Sequence, residues 1–401
     1  MAIKFAKRME GLKGSEIREL LKLTEKPEVI SFAGGLPAPE LFPVEEMKKI
    51  ATLVLEEEGM SALQYSTTEG FPPLREHIAD RMNSKNKTNV EKDDILITNG
   101  SQQGLDFAGK VFLDEGDVVL CESPSYLGAL NAFKAYSPKF IEIPTDKNGM
   151  IMEELEKVLE TTENVKMIYV IPDFQNPTGR TWPIERRKKF MEIINKYEIP
   201  VIEDNPYGEL RFEGENLPSL KSMDKKGLVV FLGSFSKIFC PGYRIGWTCA
   251  SREILQKFIF VKQGADLQAS SISQREVSKF MDIYNLDAHV EKLKEVYGRR
   301  RDLMLKTMAE ELPEGLEYTH PEGGLFTWVE LPNHLNAKVI MEDCIKSNVA
   351  YVPGGSFFPN GGKENCFRLN YSTMNDEKIV EGIKRLGSVL KKHMEAELVE
   401  A

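Results

Sequence analysis

The chain has 401 residues, and at about 150 residues per domain this length predicts two to three domains, or one large domain with a satellite. Hydrophobic residues make up 41% and charged residues 28%, a composition typical of globular proteins that excludes collagen-like, low-complexity and mainly disordered chains. The 52 basic and 62 acidic side chains give a formal net charge of −10, which argues against a domain built to grip a nucleic-acid backbone.

Residues 1–90 predict a helical arm and a lead-in to the main domain. An apolar stripe at helical spacing around Leu20 breaks at Pro27. The segment 31–43 (SFAGGLPAPELFP) contains three prolines and two glycines, so it is expected to be an ordered loop. Helical patterns follow over 44–58 and 73–82.

Beyond this lead-in, short apolar runs alternate with helical patterns. Strands are expected at 95–99, 117–121, 140–143, 167–171, 201–203 and 228–232, with one more at 246–250. Helices are expected at 101–113, 124–135, 151–161 and 183–197. This alternation is typical of βαβ units that build a mostly parallel sheet.

The C-terminal part of the chain begins with a largely helical stretch, 251–312, that is expected to break near 285–287. Strand-like runs then follow at 325–331, 350–353 and 366–371, before a final helix from about Asn375. The predicted fold class is therefore α/β, with a mostly parallel seven-stranded sheet flanked by helices in a large domain and a small α+β domain built from both chain ends. The predicted boundaries are 1–45 for the arm and a small-domain segment, 46–310 for the large domain and 311–401 for the C-terminal small domain.

Several classes of site and location are not expected. The five cysteines and five histidines show neither CxxC nor metal-ligand spacing, which argues against a disulfide framework and a metal site. No apolar run approaches about 18 residues, so no membrane span is expected. The N-terminus, Met1 to Gly14, lacks the apolar stretch of a secretory signal. A cytoplasmic, metal-independent protein is therefore predicted.

Polar residues follow the predicted strands at their carboxyl ends, where open parallel sheets bind ligands. They are Gly100, Ser101 and Gln102, then Asp173, Gln175 and Asn176, then Asp204 and Tyr207, and finally Ser234, Ser236, Lys237 and Arg244. Each has an ordinary interpretation when taken alone. The Gly-Ser pair suits a turn and a helix cap, and a lone lysine is usually a solvated surface residue.

The combination points to one chemistry. Pyridoxal phosphate (PLP), held as a Schiff base, needs a lysine, an acid at its pyridine nitrogen and a cluster of donors for its phosphate. Lys237 and Asp204 supply the first two, and the Gly100-Ser101 segment and its neighbours suit the third. Arg368 lies between two apolar residues in a predicted strand, where an arginine often has an anionic partner.

Four motifs in order carry a family resemblance: QNPTG at 175–179, EDNPY at 203–207, GSFSKIFCPGYRIGW at 233–247 and CFRLNYS at 366–372. In these motifs the chain resembles the fold-type I PLP-dependent aminotransferases of class I/II. The segments 31–43 and 64–75 (QYSTTEGFPPLR) are similar to a narrower group. That group includes the 2-aminoadipate and kynurenine aminotransferases and the aminotransferase-like domains of certain bacterial regulators.

The resemblance implies a role for each matching residue around PLP in the large domain. Lys237 would form the Schiff base and later act as the base for proton transfer, while Asp204 would pair with the pyridine nitrogen. Asn176 and Tyr207 would bond the ring 3′ oxygen, with Tyr207 counted among the catalytic residues, and Tyr126 would stack on the ring. The residues expected to hold the phosphate are Ser101, Gln102, Ser234, Ser236 and Arg244.

The resemblance also implies how substrates and a second subunit contribute. Arg368 would take the substrate α-carboxylate, with Asn176 and Gly35 in the same substrate site. Ser15 and Arg18 match an N-terminal helix that lies over the substrate in aminoadipate-type enzymes, although a solvated helix face is an alternative.

Tyr65 matches a tyrosine that, in relatives, reaches the cofactor phosphate of the partner subunit. This match implies a homodimer with shared active sites, and a packed loop aromatic is the alternative interpretation of Tyr65.

The predicted function is therefore PLP-dependent transfer of an amino group between an L-amino acid and a 2-oxo acid such as 2-oxoglutarate. The donor is expected to be 2-aminoadipate, an aromatic or a branched-chain amino acid. Other PLP chemistry, such as cysteine-conjugate β-lyase activity, and a PLP-binding ligand sensor are the alternatives. Two residues depart from the family pattern, Asn205 where many relatives have aspartate and Asp173 before QNPTG.

Overall fold

A computed structural model describes residues 3–9 and 27–400 of the protein, with side chains to residue 395. Its largest element is an eight-stranded sheet. In spatial order the strands are Ile95–Asn99, Ile245–Cys249, Val229–Ser234, Val201–Asp204, Val165–Val170, Val118–Ser123, Lys139–Asp146 and Gly149–Met150. The five strands from Val229–Ser234 to Lys139–Asp146 are parallel to one another, and the remaining strand pairs of the sheet are antiparallel. The seven expected strands are all present, and the two-residue strand Gly149–Met150 extends the sheet at one edge.

Helices cover both faces of this sheet, which is why its central strands are continuous apolar runs rather than alternating ones. Ile168 and Val201 pack into one apolar cluster, whereas Tyr169 and Ile202, their neighbours in sequence, pack into the other. The flanking helices are Ser101–Phe112, Leu127–Lys134, Met152–Thr161, Ile184–Tyr197 and Arg252–Ala265. The alternation of strand and helix along the chain therefore positions the carboxyl ends of the parallel strands at one polar rim.

A second, antiparallel sheet lies in the C-terminal part of the chain. Its strands, in order, are Glu317–Tyr318, Phe326–Glu330, Cys366–Asn370 and Val352–Pro353. A separate parallel pair joins Ile30–Ser31 to Val349–Ala350, so residues from both ends of the chain meet. The run expected at 350–353 is thus divided between two sheets. The helices here are Ala337–Lys346, which the sequence pattern did not indicate, and Asp376–Glu400.

The remaining helices are Val44–Ala62, Pro72–Lys85, Ser271–Ile283 and Leu286–Glu311. The stretch 251–312 therefore breaks twice, near 266–270 as well as near 284–285. Both breaks end in a helix cap, where Ser270 Oγ accepts from the Ser273 N–H and Asn285 Oδ1 accepts from the Ala288 N–H.

The predicted domain boundaries stay a prediction. The expected arm helix, which includes Ser15 and Arg18, lies outside the described residues. Within the described part of the chain, no helix combines the length and the apolar character needed to span a membrane.

Candidate active site

The candidate site lies at the carboxyl ends of three neighbouring parallel strands. Asn176 lies in the loop after Val165–Val170, Asp204 ends its own strand, and Lys237 follows Val229–Ser234. A loop from the N-terminal part of the chain, 33–35, and Arg368 of the small sheet complete the group. The fold thus brings together residues from five separate parts of the sequence.

Lys237 provides an amine inside this site. Its Nζ donates to the carbonyl oxygen of Gly35 at 2.6 Å. Burial lowers the pKa of Lys237 to about 8, and the positive charges of Arg368 and Arg244 add to the effect. An appreciable fraction of the amine is therefore neutral near physiological pH, as a nucleophile or a general base requires.

Asp204 is a buried carboxylate with one oxygen still open. Its Oδ2 accepts from the Tyr169 hydroxyl at 2.9 Å. Its Oδ1 has no hydrogen-bond partner among the described residues, although the side chain is buried. Burial raises the pKa of Asp204 to about 7, and the bond from Tyr169 acts in the opposite direction. A buried carboxylate oxygen in this state suits a donor that carries positive charge.

Tyr169 was not predicted as a site residue. In the parallel pairing, Tyr169 lies beside Ile202. Ile202 and Asp204 are two residues apart and therefore share a face of the sheet. The one signal in the sequence was that Tyr169 carries a polar group within the apolar run 167–171. That signal becomes informative only once the strand register is known.

Arg368 is buried among aromatic rings and polar groups of the site. Its Nη1 donates to Asn176 Oδ1 and its Nη2 to the Ala33 carbonyl, both at 2.8 Å. The guanidinium carbon lies 4.1 Å from the centre of the Phe326 ring and 5.3 Å from that of Phe357. Burial lowers the pKa of Arg368 to about 10, so the side chain keeps its charge at neutral pH. Its Nε has no partner within the described part of the chain.

Two tyrosines lie against the same group. The Tyr207 hydroxyl hydrogen-bonds with the Asn176 side chain, and the ring meets Phe326 edge-on at 5.8 Å between centres. Burial raises the pKa of Tyr207, so the hydroxyl stays protonated and can donate. Tyr126 precedes the helix Leu127–Lys134 and lies close enough to influence the pKa of Tyr207 and of Arg368.

Next to this group, the start of the helix Ser101–Phe112 forms a cup. Gly100 adopts φ +69°, and a Cβ there would lie 2.4 Å from Arg244 Nη2. A Cβ at Gly246 would lie 2.6 Å from the Gly100 carbonyl carbon and 2.7 Å from the Ser101 nitrogen. Gly100 therefore suits the left-handed backbone at this turn, and Gly246 is required because a Cβ there would overlap the backbone of Gly100 and Ser101.

The cup is lined with donors. Ser234 Oγ donates to Ser236 Oγ at 2.9 Å, and Arg244 Nη1 lies 3.4 Å from the same Ser236 oxygen. In the described structure no side chain caps the helix at Gly100, which leaves N–H groups of its first turn for an anion. The Gln102 side chain donates to the Gly128 carbonyl at 2.8 Å, so a contribution from Gln102 to the cup would come from its backbone N–H.

Not every predicted residue joins this group. Gly35 does, through its carbonyl bond from Lys237. Tyr65 does not, because its side chain is 79% exposed in the loop after the helix Val44–Ala62. This exposure is at odds with the alternative interpretation of Tyr65 as a packed loop aromatic. Ser15 and Arg18 lie outside the described residues.

The two residues that depart from the family pattern contact each other. Asn205 Nδ2 donates to Asp173 Oδ2 at 3.1 Å, and Arg187 Nη2 donates to Asp173 Oδ1 at 2.6 Å. Arg187 is fully buried. This pairing ties the loop that carries Asn176 to the end of the strand that carries Asp204, and no pattern in the sequence indicated it.

Comparison with known proteins identifies the family. The family model described as "Aminotransferase class I and II" matches residues 28–386 of the chain. Over 394 residues the chain is 46% identical to the aromatic-amino-acid aminotransferase 1 of Thermococcus litoralis. That match covers 97% of this chain and 94% of the relative.

Two solved structures share the fold over nearly the whole chain. A kynurenine aminotransferase from Pyrococcus horikoshii, solved in complex with PMP, is 42% identical with a TM-score of 0.93, and the match covers 97% of each chain. An alpha-aminoadipate aminotransferase from Thermus thermophilus, complexed with N-(5'-phosphopyridoxyl)-L-leucine, is 42% identical with a TM-score of 0.91. That match covers 98% of each chain.

Proposed function

The chain belongs to the class I and II aminotransferases, and from this premise we propose that it moves amino groups from aromatic or 2-aminoadipate donors to 2-oxoglutarate. It is a PLP-dependent transaminase of fold type I. These donor classes are the ones after which its relatives are named. The convergence of Lys237, Asp204 and Arg368 on one rim of the sheet is the observation that supports this site most strongly.

The residues present fit PLP. The open Oδ1 of Asp204 suits a protonated pyridine nitrogen, and the amine of Lys237 suits the cofactor carbonyl. The cup at Gly100, with Ser234, Ser236 and Arg244, suits the phosphate. When bound, PLP supplies an electron sink for the negative charge that develops at the substrate Cα.

Lys237 would act first as a nucleophile and then as a base. Its Nζ is the group that would hold the cofactor, and the amine would be free once the amino-acid substrate is bound in its place. The free amine would then take the proton from the substrate Cα, hold it, and later return it. A pKa of about 8 leaves Nζ able both to accept and to return that proton near neutral pH.

Asp204, Tyr169 and Asn176 would orient the ring. The Asp204 carboxylate would hold positive charge at the pyridine nitrogen, and the Tyr169 hydroxyl fixes the direction of that carboxylate. Asn176 and Tyr207, which bond each other, would donate to the ring oxygen. These contacts set the position of the ring relative to Lys237 Nζ.

Arg368 would bind the α-carboxylate that amino acids and 2-oxo acids share. Its Nε is unpartnered among the described residues, and its Nη2 is held only by the Ala33 carbonyl. Nε and Nη2 therefore offer the parallel pair of donors that a carboxylate binds in a bidentate manner, once the loop at Ala33 gives way. One arginine then serves both half-reactions, which predicts ping-pong exchange.

A second copy of the chain is proposed to complete the site. Exposed apolar side chains cluster at the end of the helix Val44–Ala62 and in a loop beside it: Met60, Leu63, Tyr65 and Leu267. The Ser66 N–H donates to Gln268 Oε1, which joins the two loops. Apolar clusters of this kind are typical of subunit interfaces. Tyr65, at the edge of this cluster, would reach the phosphate cup of the partner.

The function is tested by a panel of donors with 2-oxoglutarate. Purified holoenzyme is incubated with phenylalanine, kynurenine, 2-aminoadipate and leucine, and glutamate is measured as product. We expect glutamate in equal amount to the new oxo acid, highest for aromatic donors or 2-aminoadipate, and parallel lines in double-reciprocal plots. Release of pyruvate and ammonia from a cysteine conjugate, without glutamate from any donor, would instead support β-elimination.

The arm is tested in the same panel. Arg18, outside the described residues, is proposed to meet the acidic side chain of 2-aminoadipate. Arg18→Ala should then lower kcat/KM for 2-aminoadipate more than for phenylalanine. An equal loss for acidic and neutral donors contradicts this role.

Two further predictions stand as proposals. The large domain is proposed to span 46–310, with the small domain formed by 1–45 and 311–401. A cytoplasmic location is proposed from the composition of the chain.

A further inference from the structure

A partly buried polar cluster, in which Lys262 is fully buried, lies behind the phosphate cup. Asp266, at the end of the helix Arg252–Ala265, accepts four bonds through its carboxylate. Asn99 Nδ2 and Gln103 Nε2 donate to Oδ2 at 2.6 and 2.7 Å. Lys262 Nζ donates to Oδ1 at 2.9 Å and to Oδ2 at 3.0 Å. The cluster thus joins one helix end to residues on both sides of Gly100.

In this cluster the positive charge of Lys262 is neutralised by the negative charge of Asp266. The Lys262 side chain is 0% exposed and that of Asp266 is 22% exposed. Burial lowers the pKa of Lys262, while the bond to Asp266 raises it. Lys262 Nζ also donates to Gln103 Oε1 at 3.0 Å. Removing one partner of such an ion pair is strongly destabilising, because the other charge is left buried and uncompensated. The cluster therefore holds its members in fixed positions.

The supported residues determine the shape of the cup. Asn99 is the last residue of its strand, and its carbonyl lies 3.5 Å from Arg244 Nη2. Its N–H donates to Gln103 Oε1 at 2.9 Å. Gly100 lies between these two residues and precedes the helix Ser101–Phe112, whose first turn has no side-chain cap among the described residues. A shift of Asn99 or Gln103 would therefore move the phosphate donors directly.

We propose that Asp266, neutralised by Lys262, is a positioning residue that holds the Gly100 turn in the conformation that binds the cofactor phosphate. This role rests on the proposed PLP site, because the PLP phosphate is the ligand that is proposed for the cup. Asp266 acts through Asn99 and Gln103 and does not itself meet the cofactor. Its loss should weaken binding of the phosphate group and leave the attachment of the ring at Lys237 in place.

The test compares PLP with pyridoxal, which lacks the phosphate. Cofactor is removed from the wild-type protein and from Asp266→Asn, and the dissociation constant of each compound is measured by titration of the visible absorbance. We expect Asp266→Asn to weaken PLP binding by about tenfold or more, from the loss of charge-assisted hydrogen bonds. Pyridoxal binding should change by less than about twofold, and kcat at saturating PLP should also change little.

Two further variants keep the test decisive. Lys262→Met combined with Asp266→Asn removes the unpaired buried ammonium, so it serves if the single variant does not fold. Glu381→Gln breaks an exposed pair with Arg385 at the same i,i+4 spacing and is the matched control. Equal weakening of PLP and pyridoxal, or unchanged PLP binding, would overturn the positioning role. Failure of the wild-type protein to bind PLP would instead overturn the proposed function.

Discussion

The pKa values of two ionisable residues in the site are shifted toward neutral pH, one downward and the other upward. Burial lowers the pKa of Lys237 to about 8 and raises that of Asp204 to about 7. The same cause acts on both, because low-dielectric surroundings disfavour a charge that nothing neutralises. Groups perturbed in this way are typical of active sites, where a ligand later supplies the missing charge. Each residue is thus ready to meet a ligand, and its burial lowers the stability of the folded protein while that ligand is absent.

Asp204→Asn should therefore stabilise the protein when the cofactor has been removed. The folded-state pKa of Asp204 is raised from its ordinary value of 3.8 to about 7. The wild-type protein thus loses stability as pH rises through that window, and the asparagine variant does not. We expect the variant's advantage in unfolding free energy to grow by about 2 to 4 kcal/mol between about pH 4 and pH 8.

Urea unfolding of both proteins without cofactor at the two pH values measures this difference. Asp80→Asn, at an exposed position on the helix Pro72–Lys85, is the control. A pH-independent difference for Asp204→Asn, equal to that of the control, would show that Asp204 is not held in a charge-disfavouring environment.

At the scale of elements, the loops of the site are held from behind by a buried ion pair. Arg187, on the helix Ile184–Tyr197, donates to both oxygens of Asp173 and to the carbonyls of Trp182 and Pro218. Asn205 bonds the same Asp173 carboxylate. One helix thus fixes the two loops that present Asn176 and Tyr207, and the fixed loops keep the ring-binding donors at constant spacing.

Replacing Arg187 should be costly. Arg187→Met leaves the Asp173 carboxylate buried, and the one cation then left beside it among the described residues is a more distant arginine, Arg211 at 3.6 Å. We expect a loss of about 3 kcal/mol or more in unfolding free energy, as for other broken buried pairs. Lys188→Met, next in sequence, breaks only an exposed pair with Glu185 and should change stability by less than about 1 kcal/mol. Equal effects of the two substitutions in urea unfolding would contradict a supporting role for Arg187.

The elements that the sequence predicts well are those with local signals. The strand Ile95–Asn99 matches its expected bounds because the apolar run ends at a turn signal, Gly100. The run expected at 350–353 forms two short strands in the structure, because its first part pairs with Ile30–Ser31, and no local pattern shows a partner so distant in sequence. Gly149–Met150 is too short to give a pattern of its own.

At the scale of the whole molecule, the site residues also divide into those that lie in a local motif and those whose partners are distant in sequence. Lys237, Asp204 and Arg368 lie in recognisable motifs and could be named from the sequence. The Ala33 carbonyl that holds Arg368 is 335 residues away along the chain. Likewise, Tyr169 reaches Asp204, and Asp266 reaches Asn99 and Gln103, only through tertiary packing. Motifs identify the chemistry, and the contacts that orient it depend on the completed fold.

The proposed homodimer predicts complementation between two impaired subunits. If Tyr65 serves the partner's site, a mixed dimer of Lys237→Ala and Tyr65→Ala subunits contains one intact site. That site combines Lys237 from one subunit with Tyr65 from the other. We expect mixed dimers to bind PLP with near wild-type affinity at half of their sites and to exceed the turnover of Tyr65→Ala alone.

The mixture is prepared by co-expression with two different affinity tags, and the doubly tagged dimer is compared with each parent. If Tyr65 acts within its own chain, the mixed dimer contains no intact site and no gain appears. A protein that stays monomeric at micromolar concentrations would contradict the shared site altogether.

The most direct test of the central claim is to locate the covalently bound cofactor. Reduction of the holoenzyme with borohydride, followed by peptide mass spectrometry, fixes PLP on the lysine that carries it. We predict the phosphopyridoxyl mass on Lys237 alone, and loss of both the label and about a thousandfold or more of turnover in Lys237→Ala. A label on another lysine, such as the buried Lys262, or unchanged turnover in Lys237→Ala, would contradict the assignment of the site.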